Sequence, residues 1–160
     1  MKKILIALCI AFASLNVNAQ NYIAVSTTLY TNPGTFAAKA SPAIEIGKQL
    51  GPLSVGIDVG KTNCSPVRGK DTTVYFELRP NLNVFQQGKF TNTLTIGVGA
   101  VPFSTQSMMG ELSYGIEYAM SDIVHLNVNF GQYYFSGTNV SSSATYFGIN
   151  IIRYFSTKKK

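Results

Sequence analysis

The sequence carries little charge. Charged residues make up 12% of its 160 positions, about half of the ~25% usual for soluble domains. One histidine and two cysteines are too few for an ordinary zinc or iron site, so neither metal nor cofactor is expected. Walker loop, nucleophile elbow and HExxH are all missing from the sequence, which removes the commonest nucleotide, acyl-transfer and metal-dependent chemistries. The stretch GVGAVP at 97–102 contains GxG without a third glycine, so it does not read as a dinucleotide loop. Coiled-coil and amphipathic-helix periods are missing too. A formal net charge of +6 would point to nucleic acid, but much of the excess lies at the chain ends, in Lys2, Lys3 and Lys158 to Lys160. What lies between is close to neutral, and no nucleic-acid partner is expected.

The chain starts MKKILIALCIAFASLNVNAQ. Two lysines, an apolar run from Ile4 to Leu15 and the small-residue pattern ending at Ala19 predict a secretory signal over residues 1–19, cleaved after Ala19. The run is too short for a bilayer span, and Leu8 before Cys9 is not the small residue of a lipoprotein signal. Removing the signal leaves Cys64 as the sole cysteine, expected as a free thiol with no internal disulfide. One domain is expected over residues 20–155, followed by a solvated basic tail at 156–160.

What is present is a period of two. In ELSYGIEYAMSDIVHLNVNF, residues 111–130, one set of alternate positions holds Leu112, Tyr114, Ile116, Tyr118, Val124, Leu126, Val128 and Phe130. The other holds Glu111, Ser113, Gly115, Glu117, His125, Asn127 and Asn129. The same alternation predicts eight strands, at 22–30, 43–50, 53–61, 73–85, 91–102, 110–120, 122–135 and 144–155. Connections at 51–52, 86–89 and 121–122 are short. Those at 31–42, 62–71, 103–109 and 136–143 are longer and rich in Asn, Pro, Gly, Ser and Thr. An all-β, eight-stranded antiparallel up-and-down transmembrane β-barrel has this layout, with turns at one end and loops at the other.

The apolar face could turn inward, as in a soluble carrier, or outward to lipid. Glycine discriminates. Gly47, Gly56, Gly60, Gly97, Gly99, Gly115, Gly131 and Gly148 all share the polar face. The lumen of an eight-stranded barrel is only just wide enough for side chains, so glycines there make room for larger polar neighbours. On a solvated outer face they would only weaken strands. Low charge agrees, and the polar face is expected inside. Aromatics near predicted strand ends (Tyr30, Phe85, Phe90, Phe103, Tyr118, Tyr133 to Phe135, Tyr146, Tyr154 and Phe155) are expected to form interfacial girdles. Lys48 and Arg153, the cations on the apolar face, are expected to snorkel near the turn end. Pro80 lies inside the fourth strand and is expected to mark a bulge.

With eight strands, alternating connections and a signal, the chain resembles the small outer-membrane β-barrels of the OmpA/OmpX type, within the porin-like superfamily. The segment TYFGINIIRYF fits the closing strand of that family in Phe147, Ile149, Ile151 and Phe155, and departs from it in Arg153 and in the residues after Phe155. The resemblance implies an integral outer-membrane protein, surrounded by lipid and monomeric. Loops 31–42 and 62–71 would face outward and offer the surface for an extracellular ligand. Lipid A deacylases of that class use a lipid-facing histidine with a serine two residues on. Here the matching position holds Asn127 and His125 falls on the lumen face, so catalysis is not expected. A lipid-modifying hydrolase and a narrow small-solute pore remain as alternatives.

The inward face carries the candidate site, a lumen polar network of Glu45, Asp58, Glu77, Arg79, Glu117, His125, Asn127 and Asn129. Four carboxylates face one guanidinium there. Buried carboxylates need partners or take up protons. Arg79 is therefore expected among at least two of them, in a network that plugs the barrel.

Overall fold

The computed structural model describes residues 19–31, 38–62, 73–102, 104, 106–137 and 140–155. The expected signal up to residue 18, the basic tail, Cys64, half of loop 31–42 and nearly all of loop 62–71 lie outside the described residues. The eight strands are β1 Gln20–Thr31, β2 Ala38–Leu50, β3 Leu53–Thr62, β4 Thr73–Gln87, β5 Phe90–Ala100, β6 Met108–Ala119, β7 Val124–Gly137 and β8 Val140–Phe155. Each pairs antiparallel with the next, and β8 pairs with β1 to close the barrel. Closure leaves no sheet edge along the wall, which a hydrocarbon surround requires. The strands run from 10 to 16 residues, long enough for a tilted bilayer crossing of about 9–11.

Three short connections define the turn end. Two are two-residue hairpins, Gly51-Pro52 and Gly88-Lys89. Gly51 and Gly88 hold φ of 66° and 58°, a left-handed conformation that a Cβ would strain. The third, 120–123, is tied by Ser121 N–H donating to the Val124 carbonyl at 3.0 Å. The opposite end differs from expectation in two places. Strand β2 begins at Ala38, so the first long connection shrinks to 32–37. Residues 136–143 are not a loop. Gly137 pairs with Val140 and Ser136 with Ser141, leaving only 138–139 between the strands. Serine-rich composition reads as loop locally, but the hairpin ladder continues through it, with its hydroxyls facing outward or capping the interior.

Pro80 sits opposite Val55 on β3, and the β4–β5 register is the same on both sides of it: Leu78 faces Val98 and Asn81 faces Thr95. The bulge falls instead between Asn83 and Phe85, where Val84 is the extra residue. Its effect is on parity. Phe85 would otherwise continue the inward row of Arg79, Asn81 and Asn83; the inserted residue sets it opposite Asn92 and leaves it 57% exposed.

The branched and aromatic positions of the predicted apolar face point out of the barrel. Ile46 and Ile57 are 64% and 59% exposed, values that would be anomalous in a water-soluble core. Lys48 and Arg153 also point outward, with Arg153 5.9 Å from the Phe155 ring. The glycines line the inside, where a side chain has no room. A Cβ on Gly60 would lie 2.6 Å from the Ala43 Cβ, and one on Gly56 would lie 2.6 Å from the Tyr22 hydroxyl and overlap the Glu45 carboxylate. Gly56→Val is therefore expected to lower stability by about 1–3 kcal/mol through overpacking. Its outward neighbour should tolerate Ile57→Val with a change of at most about 0.5 kcal/mol, as at a surface site. Urea midpoints of the folded barrel in detergent compare the two.

The aromatic girdle is a correction in part. Phe85, Phe90, Tyr118, Tyr134 and Phe155 do face outward, but Tyr133, Phe135, Tyr146 and Tyr154 are buried inside. Parity is the reason. Tyr133 and Phe135 continue the inward row of Asn127 and Asn129, and Tyr146 and Tyr154 that of Asn150. With Ala43, Tyr75, Val101, Met109 and Ala144, the first three fill the loop-side half of the lumen. Val101 is fully buried there, its N–H donating to the Ser107 carbonyl at 2.8 Å. Phe103 lies outside the described residues, and so does the side chain of Tyr30.

Candidate functional site: the barrel interior

Arg79 on β4 is the centre of the interior. Its Nε–H donates to Glu111 Oε2 at 2.8 Å and an Nη2–H to Glu111 Oε1 at 3.0 Å, a two-pronged pair with β6. An Nη1–H donates to Glu45 Oε2 at 2.8 Å, back to β2. Glu77 Oε2 lies 3.9 Å from Nε. These carboxylates reach the guanidinium across neighbouring strands because the intervening positions are bare. Gly56 stands opposite Arg79 on β3, and Gly97 stands opposite Glu111 on β5. A Cβ on Gly97 would lie 2.9 Å from the Glu111 Cβ and would overlap the Glu77 carboxylate.

A second feature sets the interior's chemistry. Four carboxylates each accept a hydrogen bond from a tyrosine hydroxyl: Glu45 from Tyr22 at 2.5 Å, Asp58 from Tyr75 at 2.7 Å, Glu111 from Tyr146, and Glu117 from Tyr154 at 3.3 Å. A phenol supplies a donor on an apolar body, so it can satisfy a carboxylate while packing like a core residue. Tyr146 also stacks on Tyr133 with ring centroids 4.4 Å apart. Glu77 is the exception among the carboxylates. It is 2% exposed, and neither of its oxygens finds a hydrogen-bond partner.

Towards the turn end the interior loosens into a polar cavity of about 40 Å³, lined by residues including Gln49, Asn81, Asn83, Thr95, Glu117 and Asn127. That is room for a few water molecules. His125 is half-buried at this end. Its Nδ1 lies 2.5 Å from Glu117 Oε1, and its ring meets Tyr154 edge-on at 4.7 Å. Asn127 accepts a hydrogen bond from Asn150 at 2.9 Å, and Asn129 donates to the Tyr146 hydroxyl at 3.3 Å.

All eight network positions read from the sequence therefore point inward, but they do not form one cluster. Glu45, Glu77 and Arg79 meet at the centre. Asp58 is held by Tyr75. Glu117 and His125 form a separate pair at the turn end. The main partner of Arg79, Glu111, falls on the polar face by parity but was not part of the expected network, and neither were the tyrosines. Their inward parity was the available signal. Among the described residues no group of three or more His, Cys, Asp or Glu side chains is placed to hold a metal ion.

No protein-family model matches the chain, and no curated protein matches its sequence. Solved structures do match its fold. The crystal structure of Neisserial surface protein A (NspA) aligns with a TM-score of 0.58 at 12% identity, over 87% of this chain and 98% of that one. The N-terminal β-barrel domain of Pseudomonas aeruginosa OprF gives 0.60 at 11% identity, over 86% and 98%. A de novo designed protein, TMB2.3, solved by solution NMR, gives 0.55 at 16% identity, over 84% and 94%. The chain is a small eight-stranded barrel structurally like NspA and the OprF domain, with the architecture of transmembrane barrels.

Proposed function

We propose that the protein is a non-catalytic integral barrel of an outer membrane, monomeric, whose role is structural or lies in surface contacts made by its loop end. The observation that carries this reading is the inversion of the barrel: branched and aromatic side chains outside, an ion-paired core within. A hydrocarbon surround favours that arrangement and water opposes it. The signal-like start and the closing strand to Phe155 support export and insertion. The connections at 32–37 and 63–72 are then the surface for an extracellular ligand, since binding falls to loops when the scaffold itself is filled.

The filled interior also bears on transport. The apolar layer of Tyr75, Val101, Tyr133 and Phe135 stands between the turn-side cavity and the loop end. Porins that pass solutes use many more strands. In planar bilayers the purified barrel is expected to give no stepwise solute-sized conductance, and in detergent it is expected to leave lipid A acyl chains intact. Regular conductance steps would favour the narrow pore for which the turn-side cavity offers half a path. Acyl release that His125→Ala abolishes would favour a hydrolase.

A further inference from the structure

The outward wall of β5 to β8 carries a hollow that closing the barrel does not require. One rung of that wall sets Ile96, Leu112, Gln132 and Thr145 side by side. The rung nearer the turn end carries Tyr114 and Phe130, whose rings pack at 5.8 Å and stand proud of it. The rung nearer the loop end holds Gly110 beside Tyr134. A Cβ on Gly110 would meet nothing nearer than the Gly97 carbonyl oxygen at 3.7 Å, so the glycine leaves an open notch. Between the two rungs lies a shallow hollow, open to the surroundings, edged by Leu94, Leu112, Tyr114 and Phe130 and bounded on its loop side by Gln132 and Tyr134. A second hollow, about 410 Å³, starts at Tyr134 and runs up among Ser136, Ser141 and Ser143. No charged side chain lines either one. The Tyr134 hydroxyl donates to Gln132 Oε1 at 2.9 Å, so the junction of the two hollows is polar.

Resting on the membrane reading above, we propose that these two hollows form one groove for a single membrane lipid with an uncharged, hydroxyl-bearing headgroup. The first hollow is continuous with the lipid-facing surface, so an acyl chain is its natural occupant. The Tyr114 and Phe130 rings at its turn side and the Leu94 and Leu112 side chains beside them offer that chain more contact than a flat wall does. The second hollow offers serine and tyrosine hydroxyls and no cation. A phosphate or carboxylate headgroup would call for Arg or Lys; a sugar, which both donates and accepts, suits hydroxyls and an amide. Selectivity for headgroup therefore comes from the upper half of the groove, and binding strength from the lower.

The test uses the full barrel refolded in detergent with an equimolar mixture of monogalactosyl diacylglycerol and phosphatidylglycerol of matched chains. Retained lipid is counted by native mass spectrometry. One galactolipid per barrel is expected to survive in preference to phosphatidylglycerol. Thr145→Phe, which crowds the lower hollow from its lining, and Tyr134→Leu, which removes the junction hydroxyl, should each cut retention by roughly tenfold, the effect of losing about one good contact. Ile46→Phe, on the far wall, should leave it unchanged. Equal retention of both lipids, no retained lipid, or retention indifferent to both variants would overturn the proposal. Folding is scored separately by the mobility of the unboiled protein on a denaturing gel. A wild-type barrel that fails to insert into vesicles counts against the membrane reading, whereas an inserted barrel without galactolipid preference counts against the groove alone.

Discussion

Arg79→Met is expected to destabilise the folded barrel by about 3–5 kcal/mol, the usual consequence of removing one partner from a buried ion pair. Arg79 is buried at the centre of the interior, and it faces Glu45, Glu77 and Glu111 within 4 Å. Without it, three carboxylates share an interior closed by apolar side chains on the loop side and by hydrocarbon all round. Methionine is close to arginine in volume but ends about where Nε lies, so the loss is mainly of charge and hydrogen bonds. Adding Glu45→Gln, Glu77→Gln and Glu111→Gln to Arg79→Met should recover most of the loss, because neutral groups of the same shape remove the uncompensated charges. The readout is the urea midpoint at which the heat-modifiable band disappears. Arg79→Met within about 1 kcal/mol of wild type, the range of an exposed pair, would mean that Arg79 does not organise the interior.

Ile149→Arg carries the second large effect. Ile149 lies midway along the outward row of β8, between Thr145 towards the loop end and Arg153 towards the turn end. If hydrocarbon covers that row, arginine there is expected to lose about 2–4 kcal/mol, as at the midplane of other barrels. A second arginine on the same row at Ile151, two residues nearer the interface, should lose less, because depth sets the penalty and long cations snorkel. In a water-exposed wall both substitutions would be close to neutral. Folding into phospholipid vesicles across a urea series separates these outcomes, and the order of Ile149 and Ile151 is as informative as the size of either effect.

Much of the architecture was legible from residue parity. Alternation along Leu53–Thr62 or Met108–Ala119 assigns each side chain to a face before any strand is paired, and low charge with inward glycine says which face meets lipid. Parity does not say how far a side chain reaches round the closed wall. Glu111 joins Arg79 from two strands away because Gly97 intervenes, a contact fixed by the register of three strands together. The tyrosines were misread for a related reason. Tyr146 and Tyr154 lie towards strand ends, where aromatics commonly mark the membrane interface, but their parity with Asn150 turns them inward to Glu111 and Glu117. The same test applied to Tyr133 and Phe135 gives the same correction. At 136–143 the failure was local: serine and glycine read as loop, while pairing with the opposite strand extended the hairpin through them.

The central claim concerns which solvent bathes the branched face, and collision spectroscopy measures that most directly. Single cysteines are placed, in a Cys64→Ser background, at Ile46, Ile57, Leu78, Val98 and Ile149 outside and at Ser54, Thr95 and Ser113 inside, and each is nitroxide-labelled in vesicles. Lipid-outside geometry predicts frequent collisions with oxygen and few with a water-soluble nickel chelate at the first five positions, and few with either at the last three. High nickel accessibility at the first five positions, or their shielding from both reagents, would contradict it.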